Sequence, residues 1–199
     1  FVYQLSHAQI GETDSLRKLL AAGRNDSAQV DLLNTLSRSY FKDNPDSAIS
    51  TAMASKKLAE KVGYQPGLAL ALKNIGMVYY NQGNYLDAVK TWQQALEVYK
   101  AMGDKIGIAN MLSNEGAAYF NQGDEAKSLE LHLQSLKLSE AINDTLRVLT
   151  SLTNIGAIYL NKPVTYQKAL EYFQRSYQLS LAIKDPYSIG TSTANLGET

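Results

Sequence analysis

The chain has 199 residues, a length that allows one domain or two, and its 19 lysines and arginines are balanced by 19 acids. A net charge of zero provides no basic field to condense on nucleic acid phosphates or anionic lipid. Without cysteine there are no disulfides and no thiolate metal ligands, and no run of about 18 apolar residues marks a membrane span.

The opening FVYQLSHAQ reads as the tail of a secretory signal peptide. Residues 1–8 are the remnant, with Ser6 and Ala8 as the small residues before a cut ahead of Gln9. On this reading the protein is periplasmic or otherwise extracytoplasmic, with the cytoplasm as the alternative. Residues 9–25, containing TDSLRKLLAAG from Thr13, form a lead-in helix. The chain starts without methionine and stops at NLGET, from Asn195, inside a motif that runs on in earlier units, so it is expected to be a fragment.

From residue 26 the sequence repeats. Asn34, Asn74, Asn114 and Asn154 fall at steps of forty and Asn195 follows after forty-one, the extra residue lying in the turn Asn161–Tyr166. Gly76, Gly116, Gly156 and Gly197 come two residues after the last four asparagines, and Tyr79, Tyr119 and Tyr159 three after the glycines. Such self-similarity is the mark of a stacked repeat architecture.

Each unit reads as two helices. In the second, Leu68, Leu72, Ile75 and Tyr79 keep one face, Gly83-Asn84 breaks the helix, and a second apolar pattern runs from Tyr85 through Trp92 to Tyr99. Asp104, Asp144 and Asp185 are N-caps for the helices that follow them. The repeats therefore span about 26–63, 64–103, 104–143 and 144–184, with a truncated fifth at 185–199. A glycine inside a helix costs about 1 kcal/mol relative to alanine. Its recurrence at one phase implies close approach of the paired helix, with Ala88, Ser128 and Ala169 expected to face it.

These residues resemble the tetratricopeptide repeat. The second unit matches that family's pattern as Ile75-Gly76, Tyr79, Gly83, Tyr85, Ala88, Trp92 and Ala95-Leu96. The fourth matches as Ile155-Gly156, Tyr159, Tyr166, Ala169 and Phe173. The resemblance covers residues 26–199 and implies an all-α, right-handed superhelical solenoid of helix-turn-helix repeats, whose first helices line a concave groove. The forty-residue period resembles the subgroup found in peptide-binding cargo adaptors and bacterial signalling regulators. The signal-like start adds a likeness to the N-terminal input regions of bacterial histidine kinases and nucleotide cyclases. Three departures stand out: Leu36 replaces the glycine in the first unit, Glu115 replaces a large apolar residue, and His132 replaces the aromatic. Glu115 is expected at a solvent edge and His132 packed and hydrogen-bonded in the core.

No catalytic constellation appears. His7 and His132 are far apart, and no HExxH, GxxxxGK[ST], GxSxG or recurring carboxylate pair is present, so no enzyme, cofactor or metal is expected. The asparagines are the candidate site. An amide both donates and accepts, and so can satisfy an extended peptide backbone whatever its sequence. The resemblance assigns that role to Asn34, Asn74, Asn114, Asn154 and Asn195. The alternative is that each amide bonds the neighbouring repeat and fixes the stacking. Lys73, Tyr80, Asn81, Phe120 and Asn121 flank the row. Only Lys73 among the groove positions is cationic, which argues against a clamp for a C-terminal carboxylate.

The expected function is a protein–protein interaction module that holds a peptide or partner protein in its groove. It would be the input region of a bacterial signal-transduction protein or, as the alternative, a freestanding adaptor or scaffold. A homodimer through the C-terminal repeat is a further expectation.

Overall fold

A computed structural model describes residues 26–198, and every regular element among them is helical. The signal-peptide remnant at 1–8 and the lead-in helix at 9–25 lie outside the described residues. The chain forms two compact units that meet in sequence at Gly103 and Asp104. The first contains α1 (Ser27–Ser39), α2 (Pro45–Val62), α3 (Gln65–Asn81) and α4 (Tyr85–Met102). The second contains α5 (Lys105–Asn121), α6 (Glu125–Ala141), α7 (Thr145–Leu160), α8 (Tyr166–Ile183) and α9 (Pro186–Gly197).

The helix boundaries follow from capping chemistry. Asp104, Asp144 and Asp185 accept the backbone N–H three residues on, from Gly107, Arg147 and Ser188, at 2.9, 3.1 and 2.9 Å. Asn44 and Asp124 cap α2 and α6 in the same way, satisfying donors that a helix start leaves orphaned. The glycine after α3 and the one after α5 take left-handed backbone, φ 76° and 83°, which turns each helix into its partner. The third such turn has no glycine. A 3-10 turn at Pro163–Thr165 carries the extra residue there.

In each unit consecutive helices pack as hairpins, and the first helix of one hairpin also packs on the first helix of the next. In the first unit Val30, Leu58 and Ala59 form a buried cluster covered by Leu33, Tyr64 and Leu68. In the second, Leu136, Val148, Leu152 and Ile155 are covered by Leu129, Tyr159, Tyr172 and Leu179. Both clusters draw on more than one hairpin, because one hairpin cannot bury its own apolar face. Each fully buried side chain of this size contributes about 1.5–3 kcal/mol.

The mid-helix glycines make close contacts, but not with the residues anticipated. A Cβ on Gly76 would sit 2.3 Å from Trp92 Nε1, one on Gly156 would meet the Phe173 ring at 2.4 Å, and one on Gly116 would meet His132 Nε2 at 2.8 Å. The aromatic ring, rather than Ala88, Ser128 or Ala169, fills the space a side chain would take. In the first repeat the sizes are exchanged: Leu36 holds the glycine position and Ala52 the aromatic position, both buried. The third repeat is polar where its neighbours are apolar. Glu115, Ser128 and His132 stand where the second repeat has Ile75, Ala88 and Trp92, and all three are buried. The expectation that Glu115 sits at a solvent edge is therefore corrected. Its place on α5, one residue before Gly116, points it inward as Ile75 and Ile155 point. His132 is packed as expected, but its Nδ1 is sealed from solvent with no hydrogen-bond partner.

Candidate functional site

The asparagine row divides into two kinds. Asn34 is 0% exposed and its Nδ2 donates to the Gly67 carbonyl at 3.0 Å, while Asn74 is 2% exposed and donates to the Asn34 carbonyl at 3.1 Å. In the first unit these amides fasten α1 to α3. The peptide-binding role implied for Asn34 and Asn74 is thereby corrected, since both side chains lie inside the packing and no ligand backbone can reach them. Asn114, Asn154 and Asn195 are only half-buried. On Asn195 the Nδ2 atom is shut off from solvent and makes no hydrogen bond.

The flanking residues also separate. Tyr80 packs into its own repeat, its ring centroid 5.4 Å from that of Tyr85 and 5.7 Å from that of Trp92. Lys73 is half-buried, and its carbonyl accepts the Trp92 indole N–H at 3.1 Å. Asn81 and Asn121 are exposed at the C-terminal ends of α3 and α5, and Phe120 beside Asn121 is half-buried.

In the second unit a cavity of about 490 Å³ opens between α7 and α9, large enough to seat a side chain or short peptide segment. Asn154 is one of its walls, together with Leu146, Leu149, Thr150 and Thr153 on the same helix. Tyr187, Ser188 and Thr191 of α9 stand opposite, and the buried Ser176 of α8 contributes to the lining. Asp185, the α9 cap, is the sole charged residue lining it among the described residues. Hydrogen bonds from the Ser188 hydroxyl and backbone N–H hold its carboxyl below the usual carboxylate range.

Leu146 is 60% exposed and Tyr187 83% exposed, an unusual state for large apolar side chains beside a cavity. Ile106, 46% exposed, holds the same position on α5, two residues after its own capping aspartate. Three adjacent first helices of this unit thus carry an exposed apolar residue at one phase. The sequence holds a signal for this row: a large apolar residue two places after an N-cap aspartate, at 106, 146 and 187. Among the described residues no group of three or more acids and histidines gathers to hold a metal, and no helix is long and apolar enough to cross a membrane.

Residues 69–101, most of the α3–α4 hairpin, match the tetratricopeptide repeat family. No curated protein matches the sequence. Solved structures with the same repeat fold are numerous. Aspartyl phosphate phosphatase F from Bacillus subtilis superposes with a TM-score of 0.83 at 14% identity, over 94% of this chain and 52% of that one. A Rap protein complexed with competence and sporulation factor gives 0.82 at 15% identity, over 96% and 55%. A signal transduction ATPase with a tetratricopeptide repeat sensor, from Pyrococcus horikoshii, gives 0.67 at 16% identity, over 96% and 36%. The chain spans about half the length of the first two. At such identities the likeness is one of fold, and the fold is a tetratricopeptide-type helical solenoid.

Proposed function

We propose that the protein binds a peptide, or an extended segment of a partner protein, across the first helices of its second unit, with the α7–α9 cavity as the anchor point. It does so as a non-catalytic input module of a bacterial signal-transduction protein that acts outside the cytoplasm. The observation that carries this reading is the cavity itself. It joins an accessible asparagine, Asn154, to exposed apolar walls at Leu146 and Tyr187. Tyrosine and large aliphatic side chains around a concavity are what protein interfaces use as anchors. Two structural neighbours support the assignment by analogy of fold. One is complexed with competence and sporulation factor, and the other is described as a sensor.

The test is selection of binders from a random peptide display library on the full chain, followed by substitution in the cavity. Thr150→Trp fills the cavity from an exposed wall position without changing its charge, and Gln134→Trp places the same bulk on the exposed surface of α6. Binding lost in the first variant and kept in the second, with both still helical by circular dichroism, supports the reading. Absence of binders, or binders indifferent to Thr150→Trp, rejects it.

A further inference from the structure

Part of the cavity wall offers acceptors only, and the Asn154 amide beside it both donates and accepts. Thr150 Oγ1 donates to the Leu146 carbonyl at 3.0 Å and Thr191 Oγ1 to the Tyr187 carbonyl at 3.0 Å. Ser188 donates both its hydroxyl and its backbone N–H to Asp185 Oδ2. These hydroxyl hydrogens are used within their own helices, so the oxygens face a ligand as acceptors. Asp185 adds an ionised carboxylate whose acceptor capacity exceeds the two bonds from Ser188. Among the described residues no lysine, arginine or histidine lines the cavity. Arg147, near its mouth on α7, is occupied by Asp144 and by Asn110 Oδ1.

A wall with one carboxylate, hydroxyl acceptors, an amide and apolar flanks fits a ligand that brings a cation beside an apolar group. From this geometry we infer that the cavity takes a large apolar side chain from a peptide that also carries a lysine or arginine next to it. The apolar side chain lies between Leu146, Leu149 and Tyr187, and the cation pairs with Asp185. An acidic side chain or a C-terminal carboxylate would instead meet Asp185 with no cation to offset it, and burying an unpaired charge is costly. The inference rests on the binding reading above and adds the chemical class of the ligand.

Three blocked tripeptides test it on the full chain by amide chemical-shift titration: Ac-Lys-Phe-Lys-NH2, Ac-Glu-Phe-Glu-NH2 and Ac-Lys-Ala-Lys-NH2. The first is expected to shift amides of α7 and α9, binding about tenfold or more tightly than either of the others. Asp185→Asn, which keeps an N-cap residue at the start of α9, is expected to remove the preference for the lysine peptide over the glutamate peptide. Equal or tighter binding of the glutamate peptide overturns the cation partner. Equal binding of the alanine peptide overturns the apolar anchor, and no shift by about 10 mM of any peptide overturns both. Library binders that are acidic, or that need a free carboxylate, yet are lost in Thr150→Trp would refute this ligand class and leave the binding reading standing.

Discussion

Asn74 Nδ2 donates to the carbonyl oxygen of Asn34, 3.1 Å away in space and forty residues earlier in the chain. The repeat period is here a physical bond between α1 and α3. Both residues are buried, so truncation leaves the Asn34 carbonyl without this donor and opens a small void. Asn74→Ala is expected to cost about 1–3 kcal/mol. Asn154→Ala, at the half-exposed cavity wall, is expected to cost less than about 1 kcal/mol. Urea unfolding of the two variants measures the difference. Equal losses would mean that Asn154 also carries stacking.

The contact between Gly76 and Trp92 sets a second expectation. Alanine has the better helix propensity by about 1 kcal/mol, but its Cβ would lie 2.3 Å from the indole, which is itself pinned by a bond to the Lys73 carbonyl. Overpacking outweighs propensity, and Gly76→Ala is expected to destabilise by about 1–3 kcal/mol. Gly156→Ala, facing Phe173, should behave alike. Gly116→Ala should cost least, because the nearest His132 atoms lie at 2.8–3.0 Å and need the smallest displacement. Thermal melting of the three variants gives the order.

The fold was legible because its determinants are local and repeat in phase. An aspartate before four of the five first helices among the described residues, a left-handed glycine in two of the turns and a ring opposite the mid-helix glycine each leave a mark at fixed spacing. The site was less legible. Asn34 and Asn154 share a phase and a residue type, yet one is sealed by the next helix and the other lines a cavity. What distinguishes them is which neighbours cover them, and that is a property of the packing rather than of the residue. Glu115 misled for a related reason: a carboxylate signals exposure on average, whereas its place on α5 commits it to the interior. The apolar row at Ile106, Leu146 and Tyr187 resembles ordinary core pattern until its exposure is seen.

Lys184 takes a left-handed conformation, φ 54°, at the end of α8, where the helices ending at Val62 and Met102 use Gly63 and Gly103, φ 69° and 68°. A Cβ is unfavourable in that region by about 1 kcal/mol. Lys184→Gly is therefore expected to stabilise the second unit by about 0.5–1 kcal/mol, although glycine loses more backbone entropy on folding. Gly103→Lys should destabilise the first unit by a similar amount. Melting temperatures that move in opposite directions would agree with this. A fall in both would show that the αL strain at Lys184 is smaller than the entropy cost of glycine.

His132 makes stability depend on pH. It is buried against Gly116, and burial pushes its pKa down from 6.5 to about 4, so the folded chain keeps the imidazole neutral. Between those values the unfolded chain binds a proton that the folded chain does not. Stability therefore rises with pH across this window: it is fully present above about pH 6.5 and is lost as pH falls toward 4. At 1.36 kcal/mol per pH unit the whole window amounts to about 3 kcal/mol. The carboxyls of Glu125 and Asp185 are held low by their hydrogen bonds, from Lys162 and Asn161 and from Ser188. Their contribution is lost only as pH falls below the ordinary carboxylate range, so it does not enter the interval from about 4.5 to 6.5. Urea midpoints at half-unit pH steps should slope upward across that interval in the natural chain. In His132→Phe the histidine's part of that slope should be gone, and Phe173 over Gly156 shows that a phenyl ring fits the equivalent position of the next repeat. A slope that survives the substitution undiminished would assign the titration to another group.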